Sequence, residues 1–397
     1  MNKKLTNISF SMPATRWLRR FFSTPLFLIA ALVITSCTAP NSQNLVYVGT
    51  YTNNGSKGIY TCLFDTVSGK LQLQGLAATV DNPSFLTIDN QGRFLYCVNE
   101  TETFGEHQTG GISVFAIENK TGALELKQQI GSMGGAPCHL SVDESGKYLF
   151  VANYGGGSFA VFPVLNDGQL GNNTAFVQNE GSGPNPERQQ HPHAHFICTT
   201  HQNRYVMVCD LGTDEVLVFR FDTLSGRLTP SDSAFMRQEP GSGPRHLTVL
   251  PGGKFVYVLN ELTSAMAVFH FDAENGKSRP LQTISSLPAS FSGDNTGAEI
   301  AADAVGRYLY VSNRGHNSIG VFAVHPENGT LTPVDWISCG GESPRHFTID
   351  PTGNWLICAN QKSNNIVVFS INKKTGQLTR TNHSLELNSP VCIRFLN

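Results

Sequence analysis

Apolar residues in this chain come in short runs, such as FLYCVN at 94–99, YLFVAN at 148–153 and WLICAN at 355–360. Each run is bounded by Gly, Pro, Asn or Asp, and no helical period is sustained anywhere. Runs of that length, with turn residues at both ends, predict β-strands. The runs also recur. A turn residue stands at Gly92, Gly146, Asn203, Gly253, Gly306 and Gly353, at intervals of 54, 57, 50, 53 and 47. Seven residues after each comes Asn99, Asn153, Asp210, Asn260, Asn313 and Asn360, and nine further on, Phe162, Phe219, Phe269, Phe322 and Phe369. The first of these units needs sixteen to reach Phe115, so its loop is longer. Fixed offsets at this period mark a repeat architecture. Each unit reads as four antiparallel strands.

A seventh unit is split. VGTYT at 48–52 and IYTCLF at 59–64 supply later strands with no leading strand before them. The missing strand is expected at the far end, in Pro390–Phe395. The pattern therefore predicts an all-β, seven-bladed β-propeller over 45–397, closed by pairing the two ends of the chain in one blade. In a four-stranded meander the start of the first strand and the end of the second share one face. That face gathers His139, His191, His193, His195, Arg245, His246, Glu299, Arg345 and His346 from strand starts. Loops after second strands add Glu100, His107, Tyr154, Asp210, Glu261, Arg314, His316 and Gln361.

Charge sharpens this picture. The whole chain is near neutral, at −2, so no field for nucleic acid exists, yet one face collects three arginines and most of the twelve histidines. The N-terminus stands apart from the repeat. Lys3, Lys4, Arg16, Arg19 and Arg20 precede an apolar run from Phe21 to Ile34, which is shorter than the roughly 20 residues of a membrane span. The string Ile34-Thr35-Ser36-Cys37 resembles a bacterial lipobox. Residues 1–37 are therefore expected to be a signal peptide ending at a lipidated Cys37, with 38–44 a short linker and an envelope location. Membrane contact is expected only through that anchor. The other cysteines show no metal-ligand spacing; Cys97, Cys209 and Cys358 end apolar runs and read as small buried hydrophobes.

Three signals bear on chemistry. The alternation in HPHAH places His191, His193 and His195 on one face of a strand, which lines a polar channel or holds a metal; the channel is the reading adopted. Two PRH triplets, at Arg245-His246 and Arg345-His346, suit a carboxylate or phosphate at the mouth. Asn260-Glu261 and Asn313-Arg314-Gly315-His316 occupy equivalent loops, the Asn structural. For Glu261 a role as base and a plain salt bridge stand level.

At these residues the chain resembles the lactonase-type seven-bladed propellers, which include 6-phosphogluconolactonase and the carboxymuconate-lactonising enzyme. The strings that carry the resemblance are VGTYT, HPHAH, GPRH at 243–246, VLNEL at 258–262, SGDNTGAEI at 292–300, YVSNRGHNSI at 310–319 and PRHFTIDPTGNWLICAN at 344–360. It implies a functional set of His195 or His193, Arg245, Glu261 and Arg314; Tyr51, Asp210, His246, Glu299, His316, Arg345 and His346 are read beside that set as substrate contacts. The expected activity is hydrolysis of a sugar lactone by a monomer without cofactor or metal, acting on a small anionic sugar acid or lactone. A muconate-type cycloisomerase and a non-catalytic binding propeller are the alternatives. An export signal departs from the cytoplasmic setting expected for hydrolases of 6-phosphogluconolactone.

Overall fold

The computed structural model describes residues 43–106 and 108–396. The expected signal segment, Cys37, most of the linker and His107 lie outside them. The described strands form seven four-stranded antiparallel sheets. Six sheets are continuous in sequence, with innermost strands Leu86–Ile88, Pro137–Val142, Ala194–Thr199, Pro244–Val249, Thr296–Ala302 and Pro344–Ile349. The first blade takes its innermost strand from the other end of the chain: Pro390–Phe395 pairs with Gln43–Thr50, Val48 opposite Ile393 and Tyr47 opposite Arg394. Each innermost strand contacts the next around the ring, Pro390–Phe395 meeting both Pro344–Ile349 and Leu86–Ile88.

The repeat residues explain these elements. In each of the six continuous blades the turn between first and second strands must reverse the chain through a left-handed position, which glycine adopts without strain. Asn203 takes that place in the fourth blade at φ 54°, and asparagine tolerates it best among residues with a Cβ. An aspartate three residues earlier often caps the turn; Asp143 Oδ1 accepts the N–H groups of Lys147 and Tyr148, both at 2.8 Å. The asparagine ending the second strand is buried and ties in the segment that enters its blade. Asn99, Asn153, Asn313 and Asn360 donate Nδ2 to the carbonyls of Asp81, Ser132, Ser286 and Cys339 at 2.8–3.1 Å.

The core lies between blades rather than within one. Val46, Val48 and Phe64 of the first blade pack against Ile357, Ile366 and Val368 of the seventh, so the seam of the ring is as apolar as its other joints. A hydrogen bond repeats at the same joints. Tyrosines of the second strands donate to the outer turn of the following blade: Tyr47 to Gly122 O (2.7 Å), Tyr96 to Gly168 O (3.0 Å), Tyr205 to Glu274 O (3.1 Å), Tyr257 to Gly329 O (2.7 Å) and Tyr310 to Gly376 O (2.9 Å). Tyr148 donates to Leu224 O at 3.2 Å at the joint of the third and fourth blades, and Trp355 completes the circuit across the seam, its Nε1 donating to Thr66 O at 2.9 Å.

Candidate active site

The innermost strands do not run as regular alternations. Their pairing with the second strand slips between Pro137 and His139, Ala194 and Phe196, Pro244 and His246, and Pro344 and His346. A similar slip lies between Gly297 and Ile300. These are β-bulges, which leave Cys138, His195, Arg245 and Arg345 without a ladder partner and re-aim their side chains. Consecutive residues such as His195 and Phe196, or Arg245 and His246, consequently enter different surroundings.

The deeper level is a closed circle of six side chains, one from each of the second to seventh blades. Phe85 and His139 have ring centroids 4.1 Å apart, His139 and Phe196 4.1 Å, and Phe196 and His246 5.0 Å. Glu299 follows, with His246 Nδ1 3.3 Å and His346 Nε2 3.6 Å from its oxygens, and His346 returns to Phe85 at 5.8 Å. Burial pushes His139 and His246 well below the ordinary imidazole value and His346 to about 3, so these rings are neutral at pH 7. This layer packs side chain against side chain among the innermost strands. His246, Glu299 and His346, read as substrate contacts, belong to it and not to the cavity wall.

Above it lies a cavity of about 330 Å³, lined by Tyr51, Glu100, Cys138, Tyr154, Arg188, His195, Glu261, Thr296, Arg314 and Arg345. It opens into a vestibule of about 860 Å³. The central group is Glu261, whose side chain is 6% exposed. Its Oε2 lies 2.9 Å from both Arg245 Nε and Arg314 Nη2, and its Oε1 2.6 Å from Arg188 Nη2. Burial alone would raise its pKa; the guanidiniums of Arg314, Arg245 and Arg188 outweigh burial and hold the carboxyl far below the usual carboxylate range. A carboxylate held so firmly is a weak base. Arg245 is buried behind it, Nη1 donating to Ala298 O at 2.5 Å, and burial together with Arg314 and Arg345 brings its pKa down to about 10. Arg314 lines the cavity while also donating to Gly297 O at 2.9 Å.

His195 lines the same cavity with its Nδ1 unpaired. Burial, then the charges of Arg245, His246 and Arg345, keeps its pKa well below the ordinary value, so the ring is a free base at neutral pH. His193 has a different place. The strand begins only at Ala194, and His193 stacks on Tyr154 at 4.3 Å with Nδ1 2.9 Å from Tyr154 O. The shared face expected for HPHAH is thus kept only in part: the rings of His191 and His193 lie 4.3 Å apart, while the bulge turns His195 into the cavity. Among the described residues no group of three His, Cys, Asp or Glu side chains is arranged to hold a metal.

Two more expected contacts fall outside the cavity. Asp210 is fully buried and spent on backbone and amide: its Oδ1 accepts His193 N (2.8 Å) and Gly212 N (2.9 Å), its Oδ2 Asn179 Nδ2 (2.7 Å). His316 stays at the rim, Nδ1 2.7 Å from Ser318 Oγ and the ring against Phe291. Tyr51 is in the wall; its hydroxyl donates to Glu100 at 2.9 Å and Arg345 lies over its ring at 5.1 Å. Arg188 and Cys138 were not anticipated. Arg188 lies three positions before the HPHAH string in a connection that has no repeat counterpart, and Cys138 stands where other blades carry Arg or His. All eight described cysteines are free.

Comparison with known proteins places this geometry. The family described as lactonase, 7-bladed beta-propeller, matches residues 45–395. The chain belongs to that family. It is 36% identical over 351 residues to 6-phosphogluconolactonase of Bacillus subtilis, covering 88% of this chain and 98% of that one. The structure of a periplasmic gluconolactonase from Pseudomonas aeruginosa superposes with a TM-score of 0.84 at 35% identity, covering 89% of this chain and 99% of that one. A protein of Lactobacillus plantarum superposes at 0.83 with 33% identity, over 89% and 100%. This lactonase-family chain is therefore a 6-phosphogluconolactonase-like propeller.

Proposed function

We propose that this protein is an exported lactonase that hydrolyses a sugar lactone in the cavity at the channel mouth. The observation that carries the reading is His195: an imidazole held neutral by burial, lining a cavity whose other wall is arginine-rich. A water molecule between His195 and the lactone would lose a proton to the imidazole as its oxygen adds to the acyl carbon. The oxyanion would face Arg314, the cation of the Glu261 cluster that lines the cavity beside Arg188, and be stabilised by it. Collapse breaks the acyl–ring oxygen bond, and the imidazolium returns its proton to that oxygen, giving an open-chain hydroxy acid. Glu261 and Arg245 hold Arg314 in place and do not move protons, which assigns Glu261 to the salt bridge rather than to the base. The cavity volume suits one sugar ring.

Export is supported by the basic and apolar pattern ahead of Cys37, and is in keeping with a similar structure being named periplasmic. The test is turnover of glucono-1,5-lactone and its 6-phosphate by the mature protein. His195→Asn should lower kcat by at least about 100-fold, the usual share of a general base. Undiminished turnover in that variant rejects the assignment, and ligand-induced thermal stabilisation without any turnover marks a binding propeller instead. Lipid labelling of fractionated cells, lost in Cys37→Ser, tests the anchor.

A further inference from the structure

Arg188 reaches the cavity from outside the blade repeat. Its backbone is fixed by a tight turn: Asn185 Oδ1 accepts the N–H groups of Glu187 (3.0 Å) and Arg188 (3.1 Å), and Gln189 N donates to Asn185 O (2.9 Å). Gln189 is fully buried and anchors the turn to the fourth blade, its Nε2 donating to Leu211 O (2.8 Å) and Asp214 Oδ1 (2.7 Å). The guanidinium itself is another matter. The Arg188 side chain is 37% exposed, against 2% for Arg245 and 14% for Arg314. It also holds the Glu261 oxygen that the other two leave alone, and otherwise touches only Tyr154 Oη at 3.3 Å.

Arg188, Thr296, Arg314 and Arg345 line both the cavity and the vestibule, so they form the neck between them. Arg345 makes no ion pair with any described residue. Four guanidiniums thus face the carboxyls of Glu261 and Glu100, which leaves positive charge in excess around the cavity, while Glu187, Asp294, Glu342 and Lys362 line the vestibule beyond. A planar guanidinium exchanges one oxyanion for another with little change in its own geometry.

We propose that Arg188 is the specificity-determining residue for an anionic substituent on the lactone, resting on Glu261 Oε1 in the free protein and passing to the substrate's anion at the neck, beside Arg345. The inference rests on the lactonase reading. Loss of Arg188 leaves Glu261 paired with Arg245 and Arg314, so the fold of the mouth is retained.

The experiment compares glucono-1,5-lactone with its 6-phosphate as substrates of the wild type, Arg188→Ala and Arg188→Lys. The ratio of kcat/KM values, phosphate ester over neutral lactone, should fall about 10- to 100-fold in Arg188→Ala, the range of one charge-assisted hydrogen bond, and recover in part in Arg188→Lys. Equal losses on both substrates overturn the inference. In parallel, inorganic phosphate should raise the melting temperature of the wild type and not of Arg188→Ala; equal shifts, or none in the wild type, overturn it as well. A wild type that turns over neither lactone defeats the lactonase reading, and the phosphate shift then decides the role of Arg188 alone.

Discussion

Glu261 sets one buried carboxylate against three guanidiniums, and its removal would leave buried cations facing one another. Glu261→Gln should therefore destabilise the protein by about 3–5 kcal/mol, measured by urea unfolding. The buried histidines act on stability with a definite sign. His139, His195, His246 and His346 are all held below the ordinary imidazole value, so the unfolded chain binds protons that the folded one refuses. Stability is then full above the unfolded value of about 6.5 and falls as pH drops below it, by up to about 1.4 kcal/mol per pH unit for each ring. Melting temperatures between pH 5 and 8 should decline on the acid side, and a flat profile would contradict the burial of these rings as free bases. Activity should follow the same direction, surviving below pH 6.5 until His195 itself is protonated. The residue types at the mouth were legible from spacing alone. Their partition was not, since His195 and His246 differ only in which level of the channel a bulge assigns them.

At the scale of elements the joints between blades carry a repeated bond. Each tyrosine stitch is one neutral hydrogen bond to a carbonyl, so Tyr257→Phe should cost about 1 kcal/mol, read from denaturant midpoints at unchanged slope. Tyr96 and Tyr257 stitch separate joints and share no partner, so the double variant should lose the sum. Strand positions and turns were readable in the sequence because each blade repeats the same local solution: apolar runs, an αL turn, a buried asparagine. The bulges were not readable. A bulge is a mismatch between two strands, and HPHAH reads as a plain alternation until its partner strand is known. The arm carrying Arg188 was missed for a related reason, since a turn without repeat counterparts offers no offset to align.

For the whole molecule, ring closure depends on one strand taken from the far end of the chain. Deleting residues 390–397 would expose the edge of Gln43–Thr50 and uncover the seam formed by Val46, Val48, Ile357 and Val368. The truncated protein should lose its cooperative thermal transition or aggregate, as size-exclusion chromatography and calorimetry would register; an unchanged melt would mean the ring does not need its clasp. The sequence by itself determined the number of blades, the split first blade and the face on which chemistry gathers. These follow from strand period and repeat length, which are local properties summed along the chain. Only the tertiary structure decided that Glu261 is locked by three arginines, that His195 and not His193 reaches the cavity, and that His246, Glu299 and His346 pack against one another outside it. Those outcomes depend on distances between side chains of different blades, and no single blade's sequence contains them.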